Sequence, residues 1–92
     1  MKIPLLLNLA QCKLSLGEYY AVIEHCTKVL EHHPDTVKAL YRRAKAYAGT
    51  KNLTEAKQDF EAAMALDSSL VASCKKEIAD IEAMEKIKYH FD

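Results

Sequence analysis

The chain has 92 residues, half of them apolar, and its 13 basic side chains are balanced by 13 acidic ones. That length closes one small core and no more, and zero net charge excludes bulk electrostatic attraction to nucleic acid or to a membrane surface. Two glycines, two prolines, no tryptophan and no polar low-complexity run favour a helical domain over disorder.

The first helix is expected from Pro4 to Leu16, because proline is tolerated in the opening turn, where its missing N–H costs nothing. Gly17 ends it. The second, from about Glu18 to His32, sets Tyr19, Val22, Ile23, Cys26, Val29 and Leu30 at three- and four-residue spacing, and His-His-Pro-Asp closes it. The third runs from Thr36 to Ala48, with Asp35 as its cap and Leu40, Ala44 and Tyr47 inward. Asn52 and Glu55 form a capping-box-like pair before the fourth, which turns Ala56, Phe60, Ala63 and Met64 to the core. Beyond Asp67-Ser68-Ser69 the pattern becomes one long amphipathic helix carrying Leu70, Cys74, Ile78, Ile81, Met84, Ile87 and Phe91. At 1.5 Å per residue its roughly 22 residues span about 33 Å.

Nothing in this series reaches the roughly 20 apolar residues that cross a bilayer, and Leu5 to Leu9 is too short for a signal segment. Cys12, Cys26 and Cys74 are odd in number and lack CxxC spacing, so they read as reduced core thiols of a cytoplasmic or nuclear protein.

The series repeats at a fixed interval. Leu6, Ala10 and Val22 are followed by Leu40, Ala44 and Ala56, and Cys26, Val29 and Leu30 by Phe60, Ala63 and Met64. A helix–turn–helix unit with this period, about 34 residues, is the signature of a tetratricopeptide array. Small residues at Ala10, Ala44, Ala56 and Ala63 let paired helices approach closely. The expected fold is all-α: a tetratricopeptide solenoid of two repeats, 1–34 and 35–68, and a capping helix over 69–92.

In such an array the first helix of each pair lines a concave groove that binds extended peptides. Lys38, Arg42 and Lys45 share one face of that helix in the second unit, with Tyr41 at their border as a floor for an aliphatic side chain. Asn8 and Gln11 occupy the places of Arg42 and Lys45 in the first unit. The groove thus offers amides beside cations, suited to an anionic ligand through charge-assisted hydrogen bonds of about 1.5–3 kcal/mol each.

Leu7-Asn8-Leu9-Ala10 with Lys38-Ala39-Leu40-Tyr41-Arg42-Arg43 resembles the carboxylate clamp of the immunophilin-type co-chaperones. The strings IPLLLNLAQCKL, EYYAVIEHC and VLEHHPDTVKALYRRAKAY are similar to the aryl-hydrocarbon-receptor-interacting branch of that family, which has a photoreceptor-specific member. The resemblance implies that Asn8, Lys38 and Arg42 hold the terminal carboxylate and aspartate of a Glu-Glu-Val-Asp chaperone tail. The ninety-kilodalton heat-shock class is the expected partner, and the seventy-kilodalton class the alternative. It implies a further client as well, such as a receptor or an enzyme. The family's clamp also draws a lysine and an asparagine from a preceding repeat, which this sequence does not contain.

The remaining candidates point away from chemistry. His32 and His33 fall at a helix C-terminus, where imidazole complements the dipole, so no metal site is expected. Tyr19, Tyr20 and Tyr47 read as packing residues. No glycine-rich phosphate loop or convergent acid–base pair occurs, which points to neither an enzyme nor a cofactor. Two surfaces remain unexplained. Ile81, Met84, Ile87 and Phe91 continue a stripe past the reach of the fourth helix, as a partner-docking helix would. Leu5, Leu6 and Leu9 face outward where a preceding repeat would stack, so the sequence is expected to be part of a longer protein and, taken alone, to self-associate.

Overall fold

The computed structural model describes the backbone of residues 3–90 and the side chains of residues 5–85. Among them α1 (Ile3–Ser15), α2 (Tyr19–His32), α3 (Val37–Gly49) and α4 (Leu53–Leu66) follow one another as two antiparallel pairs. A 3-10 turn over Ser68–Leu70 then leads into α5 (Val71–His90). The fold is the all-α tetratricopeptide solenoid expected from the sequence period.

The period reaches the backbone. α3 and α5 begin at Val37 and Val71, and α2 and α4 at Tyr19 and Leu53, in each case one period apart, while α1 is described from Ile3. Hydrogen bonds repeat at the same interval. The Glu18 N–H bonds the Lys13 carbonyl at 2.9 Å and the Gly17 N–H that of Leu14 at 3.1 Å; Asn52 bonds Tyr47 at 2.9 Å and Lys51 bonds Ala48 at 3.2 Å. This is the 6→1 and 5→2 pair that terminates a helix through one left-handed residue. Gly17 takes that conformation with φ 75° and Lys51 with φ 67°, the latter against the preference of a side chain with a Cβ. α5 thus starts in the register of a third unit, where the sequence pattern alone pointed to a departure from the repeat.

Two core clusters stack along the array. Ala10, Val22, Cys26, Val29, Ala39 and Ala46 join α1 and α2 to α3. Leu40, Ala44, Ala56, Phe60, Ala63, Cys74 and Ile81 join α3 and α4 to α5. The alanines at Ala10, Ala44, Ala56 and Ala63 are fully buried, as close helix approach requires. Tyr41 meets Phe60 edge-on, with ring centroids 5.5 Å apart.

Several local expectations are corrected. Thr36, not Asp35, stands at the start of α3, and its hydroxyl donates backwards to the His33 carbonyl at 2.8 Å. Asn52 precedes α4 without capping it, because its amide donates to the Thr50 hydroxyl at 2.7 Å. The side chain that does cap is Asp67, which accepts the Ser69 N–H at 3.0 Å. Cys26 and Cys74 are buried but Cys12 is exposed, and Tyr20 is 76% exposed rather than packed. Ile81 is 2% exposed and Met84 packs against the same cluster, so the fold itself takes up the half of the α5 stripe that was expected to face a partner. The Ile87 side chain and Phe91 lie outside the described residues.

Candidate functional site: a basic groove between the two repeats

Lys38, Tyr41, Arg42 and Lys45 fall on one face of α3 because three- and four-residue steps return a helix to the same side. α1 supplies Gln11 and Leu14 to the same hollow, and the α4–α5 junction supplies Asp67 and Leu70. Thr36 and Val37 complete a groove of about 530 Å³. Five of the six residues expected to bind peptide therefore line one cavity. Asn8 is exposed on α1, and the described lining does not include it.

The electrostatics are uneven. Among the described residues no carboxylate pairs with Lys38, Arg42 or Lys45, whereas Lys13, Lys28, Arg43 and Lys57 each have an acidic partner. Arg42 is partly engaged, since its Nη1 donates to the Leu7 carbonyl at 3.0 Å and ties α3 to α1. Lys45 Nζ lies 5.5 Å from the centroid of the Tyr41 ring, within cation–π range. Burial, followed by the nearby Glu77 and Cys74, raises the Tyr41 pKa, so the phenol stays neutral and able to donate a hydrogen bond. Three cations thus face one acid, Asp67. Hydrogen bonds from the Ser69 hydroxyl at 2.6 Å and the Ser69 N–H hold that carboxyl below its ordinary pKa and keep it charged.

Asp67, Leu14 and Leu70 line the groove without being expected there from the sequence, although each carries a signal. Asp67 and Leu70 stand one full period after His33 and Thr36, at the turn that opens each first helix, and Leu14 follows Gln11 by one helical step.

A second missed feature is structural. Arg43 donates through Nε to Asp59 Oδ2 at 2.7 Å and through Nη2 to Oδ1 at 2.9 Å, while Nη1 reaches the Thr27 hydroxyl at 3.3 Å. One side chain thereby ties α3 to both α2 and α4. The Asp59 hydrogen bond raises the Arg43 pKa and dominates the opposing effect of burial. On the other side of the array Lys57 pairs with Glu85 at 2.9 Å, linking α4 to α5.

Burial pushes the Cys26 thiol up to about 11, which makes it an inert core residue. Among the described residues no cluster of three His, Cys, Asp or Glu side chains is placed to hold a metal, and no helix is long and apolar enough to cross a membrane.

Residues 37–70, from the first residue of α3 to the end of the 3-10 turn, match the tetratricopeptide repeat model. The chain is 43% identical over 79 residues to aryl-hydrocarbon-interacting protein-like 1 of Mus musculus, covering 86% of this chain and 24% of that protein. Its identity to the Bos taurus protein of that name is 44% over 78 residues, covering 85% and 24%. For the Pan paniscus protein it is 42% over 78 residues, covering 85% and 20%. The chain thus spans about a quarter or less of the length of these relatives. The helix register, the repeat match and this similarity show a tetratricopeptide-repeat fold in a chain similar to part of aryl-hydrocarbon-interacting protein-like 1.

Proposed function

We propose that this chain is the peptide-binding module of a cytoplasmic co-chaperone, and that its groove receives the acidic C-terminal tail of a heat-shock chaperone ending in Glu-Glu-Val-Asp. The observation that carries this reading is the meeting of Lys38, Arg42 and Lys45, which have no carboxylate partner among the described residues, around the neutral phenol of Tyr41 in one open groove. Lys38 and Lys45 supply charge to a terminal carboxylate or an acidic side chain. Arg42, held by the Leu7 carbonyl, is fixed in place before the ligand arrives, which lowers the entropy lost on binding. Leu14, Val37 and Leu70 give the aliphatic residue of the tail an apolar wall. Asp67 lies at one edge and disfavours a second acid there, so it sets the direction in which the tail lies.

This is binding chemistry, and the reading contains no catalytic step. Calorimetry with the free-acid peptide tests it. Lys38→Ala is expected to weaken binding by about 1.5–3 kcal/mol, and converting the peptide terminus to an amide should cost a comparable amount. Affinity should fall as salt is added, because exposed cations are screened. Equal affinity for the acid and amide peptides would overturn the assignment.

A further inference from the structure

Asp67 is the one acid among the described residues that line the groove, and its carboxylate is held in a fixed place. Its N–H bonds the Ala63 carbonyl at 3.0 Å and its own carbonyl accepts the Leu70 N–H at 3.1 Å. Oδ1 accepts both the N–H and the hydroxyl of Ser69. Among the described residues Oδ2 accepts no hydrogen bond and no cation pairs with the carboxylate.

The turn itself does not need this charge. One period earlier the same turn forms around His33, whose N–H bonds the Val29 carbonyl at 2.8 Å and whose carbonyl accepts the Thr36 N–H at 3.1 Å. No side chain caps the backbone at that place. The carboxylate is therefore an addition to a turn that closes without it, half-buried on the rim of a basic hollow.

Charge is separated along that hollow. Arg42 leans towards α1, where its Nη1 bonds the Leu7 carbonyl at 3.0 Å, and Gln11 adds an amide from α1 itself. Asp67 comes from the next step of the array, at the α4–α5 junction, with Leu70 beside it. After burial, Glu77 of α5 is the strongest influence that raises the Tyr41 pKa, so a second negative charge lies near the α5 side of the floor. Lys75 and Lys76 of α5 are exposed, and neither is among the lining residues. An extended ligand thus meets cations at one end and a fixed anion at the other. Packed helices lie about 8–10 Å apart and an extended chain advances about 3.3 Å per residue. A tail whose terminal carboxylate sits with Arg42 and Lys45 brings the residue about three places upstream to Asp67.

We propose that Asp67 is a specificity-determining residue of the groove, and that the tail it favours carries a lysine or arginine about three residues before an acidic terminus. The inference rests on the peptide-site reading above and refines its ligand. A Glu-Glu-Val-Asp tail places its first glutamate at this point, where like charges repel and a cation is the better match.

Calorimetry tests the proposal with N-acetylated, free-acid Lys-Glu-Val-Asp, Ala-Glu-Val-Asp and Glu-Glu-Val-Asp peptides, acetylation removing the amine charge that would otherwise lie near Asp67. The lysine peptide should bind about fivefold more tightly than the glutamate peptide, the upper range for one half-exposed ion pair, with alanine between them. Asp67→Asn removes the charge and keeps a residue suited to capping. The preference should then vanish or reverse, because the three groove cations are left to favour the glutamate peptide. Asp67→Ser, an uncharged cap of another shape, should behave in the same way. Glu61→Gln, on the α4–α5 flank, should leave the preference unchanged. Glutamate binding as tightly as lysine to the unaltered chain would overturn the proposal, as would a lysine preference that survives both Asp67 variants. Equal affinity for the acid and amide forms of the lysine peptide would overturn the peptide-site reading and this inference with it. Acid dependence without a preference at the upstream residue would overturn this inference alone.

Discussion

The two repeats share their helix borders and differ in what holds them. In the second, Arg43 and Asp59 form a bidentate pair that also reaches Thr27 and locks three helices together. In the first, the equivalent positions are Leu9, exposed, and His25, whose Nδ1 is buried without a hydrogen-bond partner. Gly49 lies so close to the Tyr19 ring that a Cβ there would approach its Cε2 and Cζ to 2.5 Å, whereas Ser15 stands at the same place in the first repeat. Each of these differences goes with the same contrast: α3 has α2 stacked before it, whereas no helix precedes α1 among the described residues. The lesson is that a repeat unit's residues are shaped by its neighbours as much as by its own fold.

The contrast is broken most forcefully at the ion pair. Asp59→Ala leaves the Arg43 guanidinium inside the array without its partner and is expected to cost about 3–5 kcal/mol in urea unfolding. The double change Arg43→Met with Asp59→Leu should recover most of that loss, because apolar side chains of similar volume commonly replace a buried pair at little cost. A small loss for Asp59→Ala alone would show that the pair is decorative.

Gly49→Ala comes next. The added methyl must displace the Tyr19 ring, for a loss of about 1–3 kcal/mol that exceeds the roughly 1 kcal/mol alanine contributes within a helix. Ser15→Ala, its counterpart, should be neutral or slightly stabilising. Comparison of the two melting curves checks both.

A smaller effect of opposite sign is expected at the turns. Lys51 adopts the left-handed conformation that Gly17 takes in the first repeat, so Lys51→Gly should stabilise the chain by about 0.5–1 kcal/mol. Loss of stability would show that the Lys51 side chain makes a contact worth more than its backbone strain.

The weakest effect is the most diagnostic of the comparison. Installing Leu9→Arg with His25→Asp in this 92-residue chain copies the second repeat's pair onto the first, where no preceding helix buries it among the described residues. A double-mutant cycle should therefore give a coupling of only about 0.2–1 kcal/mol, the range of exposed pairs. Coupling as large as that between Arg43 and Asp59 would mean that burial is already complete in the first repeat.

The residues that were legible in the sequence are those fixed by period. Ala10, Ala44, Ala56 and Ala63 sit in the core because a repeat of closely paired helices leaves no room for larger side chains there. The face shared by Lys38, Tyr41, Arg42 and Lys45 follows from helical spacing alone. The errors arose where several local hydrogen-bond choices compete. Asp35, Asn52 and Glu55 all suit a capping role by residue type, yet the backbone terminates its helices through the left-handed residues, and the Thr36 hydroxyl and Asn52 amide bond elsewhere. The Arg43–Asp59 pair joins residues on different helices, and no local pattern joins them; the available signal was an acid within the Ala56–Phe60–Ala63 stripe. The burial of Ile81 is not legible in the sequence, because the reach of α4 over α5 depends on how the two helices cross, which spacing does not encode.

The groove itself is tested most directly by titrating isotope-labelled chain with the free-acid Glu-Glu-Val-Asp peptide and following backbone amide shifts. Gln11, Lys38, Tyr41, Lys45 and Leu70 should move together and saturably, and the amide-terminated peptide should move them far less. A second hollow of about 480 Å³ on the α4–α5 flank, lined by Lys57, Glu61, Lys75 and Glu82 among others, serves as an internal control. Shifts confined to that flank, or of equal size for the acid and the amide, would contradict the claim that the space between the two repeats is the peptide site.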